Sequence, residues 1–88
     1  MKLKDGFITH ESDGEYVVVS AGGNGFNGMI RCNLTAGAII ELLKTETDET
    51  AVVEAMLAAY DASREEITAA VQSVLENLRR IGALDESH

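Results

Sequence analysis

The sequence predicts an α+β domain in which a small three-stranded antiparallel sheet is followed by three helices. The chain before Asn33 is rich in glycine and in alternating β-branched residues, which is typical of strands and turns. The chain after Asn33 has apolar residues at helical spacing and only two glycines, Gly37 and Gly82. With 88 residues there is room for one hydrophobic core, so we expect a single domain over residues 1–88.

The first two strands are predicted in the segment FITHESDGEYVVVS. Its two extended runs meet at Asp13-Gly14, a dipeptide that tolerates the positive φ angles of a type I′ hairpin turn. A two-residue turn sets the register of the hairpin. The predicted cross-strand pairs are Ile8 with Val19 and His10 with Val17 on one face, and Thr9 with Val18 on the other.

The glycine-rich segment GGNGFNG follows the second strand and matches the G-x-G-x-x-G string of dinucleotide sites. In such sites the last glycine opens a helix whose N-terminus faces the phosphates. Here Gly28 is followed by MIRC, a short segment bounded by Gly28 and Asn33 that we interpret as the third strand. We therefore interpret GGNGFNG as a loop between strands, anchored by Phe26 in the core or beside a groove.

Two helices are predicted after the third strand. The first covers TAGAIIELLKTE, with Asn33 or Thr35 as its cap. Its predicted core side consists of Ala36, Ile39, Ile40 and Leu43. The second begins near Thr47 and ends at Tyr60-Asp61-Ala62. Its predicted core stripe consists of Val52, Val53, Met56, Leu57 and Tyr60.

The third helix has the clearest start signal, because Ser63 and Glu66 have the spacing of a capping box. Arg79 and Arg80 suit the negative end of the helix dipole, and Gly82 is a suitable C-cap. The predicted core stripe consists of Ile67, Val71, Val74, Leu78 and Ile81, flanked by Ala70 and Leu75.

Composition argues against several classes of function. The formal net charge is −8, which opposes binding to nucleic acid, and no apolar run is long enough to span a membrane. The N-terminus lacks the apolar stretch of a secretory signal, so we expect a cytoplasmic protein. A single cysteine and two histidines make a metal site difficult to assemble, and we expect no metal or cofactor. Cys32 with His10 is a weak candidate for a nucleophile and its base, and a half-buried structural cysteine is the simpler interpretation.

The remaining positive signal is a short third strand at a sheet edge, with a long amphipathic helix beside it. An exposed edge offers unpaired amides and carbonyls to an extended peptide, and an apolar groove can select its side chains. Two alternatives stay open. One is a winged-helix protein that binds DNA or another regulator, although the second helix has no basic residue. The other is a homodimer that pairs its own edge strands.

The segments MIRCNLTAGAIIELLK and TDETAVVEAMLAAYDASREEITAAVQSVLENLRRIGAL resemble, in order and spacing, the PqqD family of pyrroloquinoline quinone biosynthesis. The resemblance implies a winged-helix-like, non-catalytic domain that binds the leader of a ribosomally made precursor peptide and presents it to a modifying enzyme. The usual enzyme is a radical S-adenosylmethionine enzyme, which holds the iron–sulfur clusters. The leader is expected to add as a strand to the third strand, against the third helix.

Carried over to this sequence, the resemblance implies a peptide-binding site made of Met29, Ile30, Arg31, Cys32, Val71, Val74, Leu75, Leu78 and Arg79. Val71, Val74 and Leu78 are expected to be chiefly structural, with Leu75 and Arg79 the better candidates for contact. The chain departs from the family pattern at Leu34 and Gly37, where an acidic residue and an alanine are common, and in the insertion GGNGFNG. These departures favour a relative that serves another peptide-modification pathway.

Overall fold

The structure is a computed structural model that describes residues 1–20 and 29–86. The described residues form β1 Lys2–Leu3, β2 Phe7–Ser12, β3 Glu15–Ser20, β4 Met29–Cys32, α1 Leu34–Leu42, α2 Glu49–Ala59, α3 Arg64–Arg80 and β5 Leu84–Asp85. Strands β2, β3 and β4 make an antiparallel sheet in that order, and the helices follow it. The predicted α+β fold is therefore confirmed. The segment GGNGFNG, with Phe26, lies outside the described residues.

The β2–β3 hairpin turns at Asp13 and Gly14, whose φ angles are 51° and 77°. Positive φ at both central residues is the geometry of a type I′ turn, as expected from the sequence. The observed pairs include Ile8 with Val19, His10 with Val17 and Thr9 with Val18, so the predicted register is confirmed.

The sheet of β2, β3 and β4 has one covered face and one open face. Tyr16 and Val18 are buried on the covered face, where α1 packs against β3. Ile30, which pairs with Val18, lies partly buried on the same face. Ile8 and Met29 lie on the open face and are 55% and 54% exposed. Successive residues of β4 therefore point alternately into the molecule and away from it.

A second sheet of two short strands joins the beginning and the end of the described chain. Leu3 of β1 pairs with Leu84 of β5, and both side chains are buried. The amide of Leu3 also donates to the carbonyl of Leu43 at 2.7 Å. The sequence analysis missed both strands, because a two-residue strand has no periodicity and its partner lies at the opposite end of the chain.

Helix α1 starts as predicted but ends early. The side chain of Asn33 caps it by accepting a hydrogen bond from the amide of Ala36 at 2.8 Å. The helix ends at Leu42, short of the predicted Glu46. The carbonyl of Leu43 accepts from the amide of Leu3, and the amide of Thr47 donates to the carbonyl of Met1, so contacts with the N-terminal segment replace the next hydrogen bond of the helix. Of the predicted core side, Ile39, Ile40 and Leu43 are buried and Ala36 is partly buried.

Helix α2 is capped by Asp48, whose side chain accepts from the amide of Ala51 at 2.8 Å. The predicted start near Thr47 is therefore confirmed to within a residue. Tyr60 was predicted to face the core, and this was wrong, because its side chain is 41% exposed. Tyr60 is the C-cap residue with φ −127° and ψ 143°, so it has left the helical stripe. Buried residues of α2 are Val52, Val53 and Met56.

Helix α3 begins at the predicted cap. The amide of Glu66 donates to the Ser63 hydroxyl at 3.1 Å, and that hydroxyl donates to the Glu66 carboxylate at 3.1 Å. The second contact thus joins two side chains, whereas the reciprocal capping box would join the carboxylate to the Ser63 amide. The residues Ile67, Val71, Val74, Leu75 and Leu78 are buried. Leu75 was predicted as a flank and is wholly buried, because α3 packs against α2 as well as α1.

The end of α3 is a complete Schellman motif. Gly82 has φ 71°, and its amide donates to the carbonyl of Arg79 at 3.1 Å. The amide of Ala83 donates to the carbonyl of Leu78 at 2.8 Å. The predicted C-cap glycine is therefore confirmed, and the turn it makes sends β5 back to pair with β1.

Candidate peptide-binding site

Strand β4 lies at the edge of its sheet. Its partner on one side is β3, and within residues 1–20 and 29–86 no strand pairs with its other side. The backbone groups on that side can therefore hydrogen bond to an added strand. This is the first component of the site expected from the sequence.

The hairpin determines which backbone groups of β4 face the free edge. The two-residue turn makes Ser12 and Glu15 a hydrogen-bonded pair, and such pairs alternate along an antiparallel ladder. Glu15 and Val17 therefore direct their amides and carbonyls towards β2. Tyr16 and Val18 alternate with these two residues along β3 and direct their amides and carbonyls towards β4.

The register of β4 then separates its residues into two kinds. Cys32 pairs with Tyr16 and Ile30 pairs with Val18, so Cys32 and Ile30 use their backbone groups on β3. Met29 and Arg31 occupy the other positions of the ladder and direct their amides and carbonyls towards the free edge. The edge thus presents two donors and two acceptors, from alternate residues.

A groove of about 270 Å³ runs beside β4. Strand β4, the start of α1 and the second half of α3 form its walls, with β3 behind them. Its lining residues are Val18, Ile30, Arg31, Cys32, Asn33, Ala36, Ile40, Ser73, Val74, Asn77 and Leu78. The free edge and the groove are therefore adjacent parts of one surface.

Helix α3 supplies the groove with four residues at positions i, i+1, i+4 and i+5, which share one face of a helix. Val74 and Leu78 are buried and form an apolar floor, while Ser73 and Asn77 are exposed at the rim. Helix α3 is held in this position by its packing against α1 and α2. The groove wall therefore depends on the same helix face that builds the core.

Cys32 makes the β4 wall of the groove largely apolar. Its side chain is partly buried, and desolvation by that burial raises the pKa of the thiol. A raised pKa keeps the thiol protonated near neutral pH, which makes it a poor nucleophile and a small apolar side chain. Its position favours packing against a ligand over covalent chemistry.

Arg79 lies outside the groove and has a partner of its own. Its guanidinium donates to both carboxylate oxygens of Glu86, at distances between 2.7 and 3.1 Å. The hydrogen bonds with Glu86 raise the pKa of Arg79 and lower that of Glu86. Arg79 therefore fastens the segment after β5 to the end of α3.

The structure distributes the nine residues of the expected site over three environments. Ile30, Arg31, Cys32, Val74 and Leu78 line the groove, and Met29 is exposed on β4 beside it. Val71 and Leu75 are wholly buried in the core, and Arg79 pairs with Glu86. The sequence analysis missed the polar rim of Asn33, Ser73 and Asn77, and also Ala36. Their signal was present, since Ser73 and Asn77 flank the buried stripe at a spacing of four residues.

Other features of the described residues are less suited to a site. A hollow of about 320 Å³ lies beside Tyr60 and the start of α3, but no strand edge adjoins it. Within residues 1–20 and 29–86, no group of three or more His, Cys, Asp or Glu side chains is placed to hold a metal ion. None of the described helices has the length and apolar character needed to cross a membrane.

Comparisons with known proteins identify the family and the fold of this chain. A family model described as Coenzyme PQQ synthesis protein D (PqqD) matches residues 15–84, a range that includes β3, β4 and helices α1 to α3. No curated protein matches the chain. A solved structure of TbiB1 in complex with the TbiA(beta) leader peptide is similar, with a TM-score of 0.78 and 19% identity over 100% of this chain and 99% of that chain. Because the family model spans most of the chain, this protein belongs to the PqqD family.

Proposed function

We propose that this protein is a non-catalytic module that binds the leader of a ribosomally made precursor peptide and presents it to a separate modifying enzyme. The observation that carries the proposal is the free edge of β4 beside a groove of about 270 Å³. The leader adds to that edge as an extended strand. Alternate side chains of the leader enter the groove and give specificity.

The backbone of β4 supports this mode of binding. Met29 and Arg31 direct their amides and carbonyls outwards, so an added strand forms hydrogen bonds with alternate residues. Each such bond contributes about 0.5–1.5 kcal/mol net, which alone gives weak binding. Burial of apolar side chains of the leader on Val74 and Leu78 supplies the larger part of the affinity.

The comparison with TbiB1 also supports the proposal. That protein was solved with the TbiA(beta) leader peptide, and the two chains share one fold over almost their whole lengths. At 19% sequence identity the likeness shows only a shared fold. Which peptide this protein binds therefore has to be inferred from the residues of its own groove.

The groove is suited to holding a peptide rather than to transforming it. Its lining combines apolar side chains with amide and hydroxyl groups and one protonated thiol. The chemistry then belongs to a partner enzyme, and the class implied by the family resemblance is a radical S-adenosylmethionine enzyme.

Titration of the isotopically labelled protein with leader peptides from neighbouring precursor genes tests the proposal by NMR. We expect shifts for the amides of Met29 to Cys32 and for Ser73 to Leu78. Hydrogen exchange should slow most at Met29 and Arg31, whose amides face the free edge. Shifts confined to the hollow beside Tyr60, or to the open face of β2, would overturn the mapping.

The single cysteine provides a second measurement without any substitution. Cys32 lines the groove, so a bound peptide should slow its alkylation in proportion to occupancy. A peptide with the same composition in scrambled order is the control. If both peptides protect the thiol equally, protection is not a consequence of specific binding in the groove.

A further inference from the structure

We propose that Arg31 selects leader segments in which an acidic residue lies between two apolar residues. The inference rests on the proposed strand addition to β4 and specifies the chemistry of the peptide it takes. It follows from the alternation of side chains on β4 and from the lack of an ion pair at Arg31.

Side chains of an added strand alternate between the same two faces as those of β4. Residues opposite Ile30 and Cys32 point to the covered face and enter the groove against Val74 and Leu78. The residue between them lies opposite Arg31 and points to the open face. This alternation is the same for a parallel and an antiparallel peptide. The order apolar, acidic, apolar is also unchanged when the direction of the peptide is reversed.

Arg31 differs from the other arginines of the chain. Arg64 pairs with Glu54 at 2.6 Å, Arg79 pairs with Glu86 at 2.7 Å, and Arg80 pairs with Glu76 at 4.0 Å. Within the part of the chain that the structure describes, no ion pair or side-chain hydrogen bond involves Arg31. A chain with 15 acidic and seven basic residues thus leaves this guanidinium unpaired beside the free edge.

The surroundings of Arg31 also favour a carboxylate supplied by the peptide. On the open face its neighbour across the ladder is Val17, and His10 lies beyond Val17 on β2. Glu15 lies two residues along β3 on the same face, and no ion pair joins it to Arg31. Residues 21–28, which precede β4, contain no acidic residue in the sequence.

The guanidinium of Arg31 is exposed, so an ion pair with it contributes modestly to the affinity. Its main effect is to discriminate between peptides that differ in charge at the opposite position. Exchange of the acidic residue for its amide should weaken binding by about two- to fivefold, which is the range for exposed ion pairs. Exchange for lysine should cost more, because like charges across neighbouring strands repel.

A displayed peptide library, selected on the immobilised 88-residue protein and its variants, tests the inference. We expect the wild type to enrich peptides with Asp or Glu between two apolar residues. Arg31→Glu should enrich Lys or Arg at that position, and Arg31→Gln should remove the preference. Arg80→Glu is the matched control, because it makes the same charge change on the exposed side of α3 and should leave the preference unaltered.

The outcomes separate this inference from the proposed function. Enriched peptides that shift the amides of β4 but show no charge preference, or the same preference with Arg31→Glu, would overturn the role of Arg31 and leave strand addition intact. If the wild type enriches no peptide that shifts the amides of β4, strand addition itself fails and the inference fails with it.

Discussion

Gly37 of α1 lies directly against the aromatic ring of Tyr16 on β3. A β carbon added to Gly37 would lie 2.5 Å from two ring carbons of Tyr16, closer than real β carbons come to their neighbours. The Tyr16 hydroxyl in turn donates a hydrogen bond to Glu41, one turn further along α1. The glycine that departs from the expected family pattern therefore lies where α1 packs directly against the sheet.

This contact predicts that Gly37→Ala destabilises the fold. Overpacking against Tyr16 should lower the free energy of unfolding by about 1–3 kcal/mol, measured by urea denaturation. Alanine in a helix would otherwise be favourable by about 1 kcal/mol, so the sign of the change is informative. In a Tyr16→Ala background the cost of Gly37→Ala should shrink. Gly82→Ala, which is strained by its positive φ, should cost the same in both backgrounds.

Tyr16 also predicts sensitivity to alkaline pH. Burial, and then the hydrogen bond with Glu41, raise its pKa from 10.0 to about 12. The folded state therefore retains the phenolic proton more strongly than the unfolded state. This contribution to stability is complete below pH 10 and is lost as the pH rises towards 12.

The measurement is the free energy of unfolding as a function of pH for the wild type and Tyr16→Phe. Between pH 10 and 12 the wild type should lose stability more steeply, because the phenylalanine variant has no phenol to ionise. Tyr60→Phe should follow the wild type. Parallel curves for the wild type and Tyr16→Phe would contradict the raised pKa.

Proline substitutions on β4 test which backbone groups face the free edge. Arg31→Pro removes an outward amide, and edge strands tolerate proline at such a position. We expect a folded protein with peptide affinity reduced about tenfold or more, since an interchain hydrogen bond is lost and the ring obstructs the strand. Arg31→Ala is the control for the side chain and should cost much less.

Ile30→Pro should behave in the opposite way, because the amide of Ile30 bonds to β3. Its main effect should be a loss of stability, visible in urea denaturation without any peptide. If Ile30→Pro folds normally and Arg31→Pro unfolds, the assignment of outward and inward residues is reversed.

Asn77→Trp tests the groove from the side of α3. Asn77 is exposed at the rim, so a large side chain there should fill the groove and reduce peptide affinity about tenfold or more without unfolding the domain. Gln72→Trp, on another exposed part of the same helix, is the matched control and should bind normally. The natural chain has no tryptophan, so fluorescence of the new residue reports on both folding and peptide binding. Equal affinities for the two variants would exclude the groove as part of the site.

The sequence predicted the elements of this fold that carry local signals. Asp13-Gly14 sets the hairpin register, and Asn33 and Ser63 cap their helices because short polar side chains bond to free amides nearby. The β1–β5 pair was missed because its contact spans almost the whole chain. Tyr60 was misplaced because helical spacing does not show where a helix stops.

For the candidate site, too, the sequence predicted some of the lining residues and missed others. The strand MIRC follows from its bounds at Gly28 and Asn33, and the α3 stripe follows from helical periodicity. Periodicity does not separate a helix face that packs inwards from one that borders a groove. Leu75 and Ser73 illustrate this, since the structure buries the first and leaves the second at the rim. The sequence does not distinguish Arg31 from Arg79, since both are arginines of the expected site. The structure shows that Arg79 forms an ion pair with Glu86.

The sequence by itself therefore determined the class of fold, the hairpin register, the helix caps and the acidic character of the chain, because each depends on neighbouring residues or on composition. The tertiary structure decided which edge is free, which amides of β4 face it, which residues of α3 border the groove, and that Gly37 has to accommodate Tyr16. These features depend on contacts between residues distant in the chain, which form only when the sheet and helices pack together.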